Sequence, residues 1–190
     1  MARPKTGDKR SAILQAATVT IASNGLGAST ASIAKAAGVG EGSLFRYFAD
    51  KDELLNELYR ELKNNMRHAM TSGFPAEAAL KVRARHIWDS YVSWGMDSPD
   101  KRKTMAQLSV SDRVLERIRQ EGQAGFDGIS ATMQQIVDRG KLCALPPRFV
   151  NDLLLSMAET TMAAMANEPR KAERYRAAGF EAFWSAAAKK

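Results

Sequence analysis

The chain has 190 residues, 45% of them apolar, a single cysteine and a net charge of +7. That is enough apolar material for a packed core, the lone cysteine excludes an intramolecular disulfide, and the basic balance favours an anionic partner. No run approaches the roughly 18 apolar residues of a membrane span and the polar start lacks a signal-peptide core, so a cytoplasmic protein without a membrane partner is expected.

Helical periodicity runs through almost the whole sequence, with no sustained alternation of the kind that marks strands, so the chain reads as all-α with nine or ten helices. A tail to Gly7 precedes a helix over Asp8 to Asn24, with Ile13, Leu14, Ala17 and Ile21 on one side and Asn24-Gly25 at its end. Short helices follow over Thr30 to Ala37 and Glu41 to Phe48. Asp50 and Glu53 then form a capping-box-like pair that starts a helix reaching Met70. After a break at Thr71 to Pro75, helices are predicted over Ala76 to Trp94, Lys101 to Leu108, and Ser111 to Arg139, with Gly140 stopping the last. Pro146-Pro147 opens a helix to Asn167, and Pro169 opens the final one.

The informative stretch is Thr30 to Leu54. Ile33, Ala34 and Ala37 give the first short helix an apolar face, Gly38 suits the left-handed turn that ends it, and Val39 fills the corner. Leu44 and Phe48, four residues apart, bury the back of the second helix and leave Ser43, Phe45, Arg46 and Tyr47 around its exposed face. This is the layout of a helix-turn-helix, and each polar side chain on that face can donate to a phosphate or a base edge. Residues 1–51 carry 7 basic and 3 acidic side chains, a net +4, against 21 and 18, a net +3, in the rest, so the basic excess is densest here.

The run from Ile13 to Leu55 resembles the DNA-binding region of the TetR family of bacterial transcriptional regulators. The resemblance is carried by Ile13-Leu14, Ala17, Gly25, Thr30, Ile33-Ala34, Ala37-Gly38-Val39, Gly42-Ser43-Leu44-Phe45, Phe48, Lys51 and Leu54. It implies a DNA-binding domain over residues 1–52 and a larger helical ligand-binding and dimerisation domain over residues 53–190. It further implies phosphate contacts from Thr30, Ser43, Tyr47 and Lys51, close backbone approach at Gly42, and Phe45 and Arg46 facing bases or sugar. The side-chain chemistry agrees, Arg46 offering a forked cation that pairs with guanine. Two positions depart from the family pattern: Gly40 stands where many relatives have serine, and Glu41 places a carboxylate near the phosphates, where it either accepts from cytosine N4 or, as we favour, complements the helix dipole. The basic start, Arg3-Pro4-Lys5 with Lys9-Arg10, reads equally as a minor-groove arm or as a solvated tail.

By the same resemblance the protein is a homodimer through its last two long helices, holding a small-molecule effector. The resemblance further implies a repressor released from a palindromic operator on double-stranded DNA when an inducer binds, with the helix after Asp50 as the lever. Small Ala163, Ala164, Ala178 and Gly179 suit close approach in such an interface. Candidate pocket residues are Trp88, Tyr91, Trp94, Phe126, Met133 and Met162, because aromatic and thioether groups make adaptable apolar walls, although helically spaced aromatics are also ordinary core. His86 reads as a satisfied structural histidine. Cys143, among cations that favour a thiolate, reads as a small buried residue rather than a thiol sensor.

No metal site or cofactor is expected, since neither His68 nor His86 has a cysteine or second histidine in ligand spacing. Catalysis is not expected either: Ser32-Ile-Ala-Lys35 has the spacing of a serine acyl enzyme without its other elements, and no nucleotide-binding glycine loop is present. The alternative to a regulator is a helical protein-interaction module that keeps the fold without binding an operator.

Overall fold

The computed structural model describes residues 6–188 and, among these, ten α-helices and one 3-10 turn. The helices are α1 (Thr6–Asn24), α2 (Thr30–Ala36), α3 (Glu41–Leu44), α4 (Lys51–Thr71), α5 (Leu80–Asp97), α6 (Pro99–Ser109), α7 (Glu116–Glu121), α8 (Asp127–Arg139), α9 (Pro147–Asn167) and α10 (Ala172–Ala187). The 3-10 turn, Pro169–Lys171, leads into α10. The all-α reading therefore holds.

The described residues form two compact units, one of residues 6–65 with 98–124 and the other of residues 66–97 with 125–188. The first is larger than a three-helix reader, since it takes in α6 and α7. Its core is the predicted stripe of α1, where Ile13, Ala17 and Ile21 are fully buried, closed by Ile33, Leu44, Leu54, Leu55, Leu58, Leu108 and Ile118. Polar side chains fix the seams. Buried Thr104 of α6 donates to the Thr18 carbonyl of α1 at 2.8 Å, and Gln107 donates to the Ile21 carbonyl. Asn56 on α4, only 6% exposed, donates to the carbonyl of Arg113 at 2.9 Å and accepts from the N–H of Leu115, so one amide satisfies the backbone of the segment between α6 and α7.

The second unit packs α5, α8, α9 and α10 around Trp88. The indole stacks on Phe183 and meets Phe180 edge-on, with centroids 6.4 and 6.3 Å away, and its N–H donates to the Arg176 carbonyl. Gly179 of α10 makes this possible: a Cβ there would stand 2.3 Å from the Thr161 hydroxyl and 2.7 Å from the Trp88 ring. The close approach that the small residue permits is thus within the chain. At the far end of α10 the N–H of Lys141 donates to the Ala187 carbonyl at 2.9 Å.

Three predicted helices and one predicted burial are corrected. The expected long helix over Ser111 to Arg139 is two, α7 and α8, because Asn56 holds the residues around Arg113 in a loop and Gly125, at φ +81°, takes a left-handed conformation no helix tolerates. The helix expected from Ala76 starts at Leu80, since the Ala78 N–H closes a turn on the Pro75 carbonyl, and it runs through buried Gly95 to Asp97. Only Ser98, which precedes Pro99 and is disfavoured from the helical region, separates it from α6. The first helix begins at Thr6 rather than after Gly7. Cys143 is exposed, not buried, because the connection between α8 and α9 runs over the surface.

Gly179→Ala is expected to lower the unfolding free energy by about 1–3 kcal/mol, the usual cost of overpacking a core. Thermal denaturation followed by circular dichroism checks this; an unchanged midpoint would mean that α10 yields without cost.

Candidate nucleic-acid interface

The interface is built around a helix too short to stand alone. Helix α3 has four residues, and beyond Leu44 its backbone tightens, with Arg46 and Tyr47 donating to Ser43 and Leu44 three residues back. The helix expected to reach Phe48 is therefore one α-turn continued by 3-10 turns. Two glycines in six residues, Gly40 and Gly42, disfavour a regular helix here. What holds the segment is burial of Leu44 (0% exposed) and Phe48 (1%).

Its entry is fixed by capping. Ser29, extended at φ −77° and ψ 151°, accepts from the Ser32 N–H at 3.1 Å, and the Ser32 hydroxyl returns a bond to the Ser29 carbonyl. At the other end of α2 the Val39 N–H reaches the Ala34 carbonyl at 3.0 Å and the Gly38 N–H the Lys35 carbonyl at 3.1 Å, with Gly38 at φ +67°. This is a Schellman turn, and it requires a residue that accepts a left-handed backbone. Helix α4 opens as its sequence predicts: Asp50 accepts from the Glu53 N–H at 2.8 Å, while the Glu53 carboxylate reaches back to the Ala49 N–H.

On this frame Gly42, Phe45 and Arg46 are exposed, and Ser43, Tyr47, Thr30 and Lys51 are half-buried. Phe45, a large apolar ring, is 43% exposed on the outer side of the segment that hides Leu44 and Phe48. Around Gly42 a Cβ would meet nothing within 4 Å. The protein itself has no need of a glycine at that position, whereas a backbone approached closely from outside does.

Two of the expected contact residues carry internal bonds that the sequence did not disclose. The Thr30 hydroxyl donates to Glu41 Oε1 at 2.6 Å. The Lys51 ammonium donates to the Leu26 carbonyl at 2.7 Å, tying α4 to the turn after α1. Burial, and secondly the Arg113 guanidinium, push the Lys51 ammonium below its ordinary value. Lys51 keeps two further N–H donors. Arg10 also belongs to the frame: it pairs with Glu57 and lies 5.5 Å over the Phe48 ring, so it braces the back of α3 from within α1. Arg3, Pro4 and Lys5 of the basic start lie outside the described residues.

The candidate pocket residues Trp88, Tyr91, Trp94, Phe126, Met133 and Met162 all belong to the second unit and all are buried. Tyr91 and Trp94 face one another at 6.0 Å, and the Tyr91 hydroxyl donates to Glu159 at 3.1 Å. His86 donates to the Met70 carbonyl and meets Phe74 edge-on, in keeping with a structural role. Between α9 and α10 lies an open groove of about 500 Å3 lined by Ser156, Met157, Thr160, Ala164, Tyr175, Ala178 and Ala182, with Thr161 and Gly179 at its base.

A helix-turn-helix whose second helix and the 3-10 turns after it present an open glycine, an exposed aromatic ring and an exposed arginine over a buried leucine and phenylalanine has the layout of a DNA-binding protein. Residues 13–58 match the family described as bacterial regulatory proteins, tetR family. A chain from Shewanella sp. PV-4 described as a TetR-family transcription regulator is similar over 96% of this chain and 99% of its own, at 26% identity and a TM-score of 0.81. LfrR of Mycobacterium smegmatis, solved with proflavine, has 19% identity and a TM-score of 0.67, covering 96% of this chain and 99% of its own. FadR of Bacillus subtilis, solved with stearoyl-CoA, has 19% identity and a TM-score of 0.66 over 91% and 96%. Residues 13–58 thus carry a DNA-binding domain of the tetR type, and the chain as a whole shares the fold of TetR-family transcription regulators.

Gly42→Ala tests the open position. The substitution is expected to leave stability unchanged or to raise it by up to about 1 kcal/mol, as alanine for glycine does in a helix, while weakening DNA binding about tenfold, equivalent to 1.4 kcal/mol. Thermal melting and fluorescence anisotropy on one sample set separate the two effects; undiminished affinity would show that no DNA backbone comes to Gly42.

Proposed function

We propose that the protein is a repressor that reads a palindromic operator as a homodimer and leaves it when a small molecule enters the helical domain beyond Asp52. The observation that carries the DNA-reading part is the exposed Gly42, Phe45 and Arg46 face seated on buried Leu44 and Phe48. Arg46 reads a guanine with its guanidinium, while Ser43, Tyr47 and Lys51 hold the neighbouring phosphates and set the register.

Dimerisation is supported by the α9–α10 groove, whose exposed Ala178 and Ala182 leave room for the helices of a second copy. A two-fold axis there makes the two α3 helices equivalent and the operator palindromic. The effector site we assign to Trp88, Tyr91, Trp94, Phe126, Met133 and Met162. Because all six are buried, a ligand enters only by separating packed helices, and it weakens DNA binding by its preference for that opened state. Helix α4 has residues in both compact units and is the natural element to carry the change. LfrR with proflavine and FadR with stearoyl-CoA show small molecules held by proteins of this fold.

Selection of binding sites from a random duplex pool tests the reading. The wild type is expected to yield a palindromic consensus, and Arg46→Ala to lose the preference at one guanine in each half-site, a cost of about 1–3 kcal/mol. No enrichment at low salt would contradict operator binding and favour a protein partner. For the dimer, Ala178→Arg, on an exposed position, is expected to leave the helical spectrum intact, to halve the mass measured by light scattering, and to reduce operator affinity; a variant that stays dimeric would place the interface elsewhere.

A further inference from the structure

We propose that Glu41 sets the base preference at one position of each half-site, its carboxylate accepting from the 4-amino group of a cytosine, and that Thr30 is the residue that positions it. This deepens the DNA-reading function proposed above and rests on it, and it replaces the helix-dipole role that the sequence favours for Glu41, because α3 is only four residues long and the carboxylate accepts from Thr30 on α2.

Glu41 is exposed, and it lies one helical turn before Phe45 on the segment that presents Arg46. Its flanking residues, Gly40 and Gly42, stand in open space, where a Cβ would meet nothing within 4 Å, so nothing of the protein's own screens it from a partner. Among the described residues its partner is a neutral hydroxyl rather than a cation: Thr30 Oγ1 donates to Oε1 at 2.6 Å across the corner between α2 and α3. Thr30 is in turn the first residue of a helix whose start is fixed by the Ser29 cap. The carboxylate is thereby oriented before any DNA arrives, with Oε2 and the remaining lone pairs available.

That arrangement suits one base. A carboxylate only accepts, and in the major groove cytosine presents a donor alone, whereas guanine and thymine present acceptors and adenine sets the acceptor N7 beside its amine. A carboxylate among phosphates also weakens binding to every sequence alike, and it is compensated only where it meets a donor, so it discriminates by repulsion as well as by attraction. The hydroxyl of Thr30 has one hydrogen, and Glu41 holds it. Thr30 therefore acts on the operator through Glu41, and the phosphate contact that family resemblance implies for it falls to its backbone N–H.

The test is site selection from a random duplex pool with full-length wild type, Glu41→Ala, Glu41→Gln, Thr30→Val and Thr30→Ser, each first checked for an unchanged thermal midpoint. The wild-type consensus is expected to hold a cytosine at one symmetric position. Glu41→Ala loses at least about fivefold of that preference, the lower end of what a good base contact supplies, with the rest of the consensus intact. Glu41→Gln shifts the position toward adenine, because an amide both donates and accepts. Thr30→Val weakens the same position only, and Thr30→Ser restores it. If Glu41→Ala keeps every positional preference and binds all duplexes more tightly by one common factor, Glu41 merely repels phosphates and the proposal is overturned. If the wild type itself selects no consensus, the DNA-reading function fails, an outcome distinct from a consensus that is indifferent to Glu41.

Discussion

A single-turn helix in water does not form on its own, because fixing its first residues costs more than one hydrogen bond returns. The exposed face that we propose meets DNA is built on such a helix and the 3-10 turns that continue it. The four residues of α3 exist because Leu44 and Phe48 are pulled into a core and because Gly38 allows the chain to turn left-handed just before them. The functional side chains are thus displayed by burial of their neighbours, and any loss of that burial removes the display before it removes the fold of the other helices.

The frame behind α3 extends well beyond the helix-turn-helix. Arg10 lies over the back of Phe48, Lys51 ties the start of α4 to the turn after α1, and Asn56 holds the segment between α6 and α7. The reading unit consequently includes residues 98–124, remote in sequence from α3 but linked to α1 and α4 through buried polar groups. Such bonds are costly to leave unmade in a core, so they give the unit a definite geometry where apolar contacts alone tolerate sliding.

Much of this was legible from residue order. The apolar stripe of α1, the left-handed turn at Gly38, and the Asp50–Glu53 cap each rest on local rules, and each is present as expected. What escaped is what depends on residues far apart in the chain. Nothing local says that Asn56 would take the backbone of Arg113 and Leu115 and so split an expected helix, or that Lys51 would bond to Leu26. Gly179 was legible as a point of close approach but not as one facing Trp88 of the same chain. The Thr30–Glu41 bond spans 11 residues across a turn, and only the folded corner brings the pair together. The residue types on the exposed face of residues 41–47 were readable, but the internal partners of Thr30, Glu41 and Lys51 were not, and those partners decide which group is free to donate.

The account makes DNA reading a property of one pre-shaped face, used twice. Methylation protection at guanine N7 on the selected operator measures this most directly, since N7 lies in the major groove. The account predicts two protected clusters on one side of the duplex, centred about one helical turn or somewhat more apart and related by the dyad of the sequence. A single protected cluster, or full methylation of the major groove in a bound complex, would contradict it.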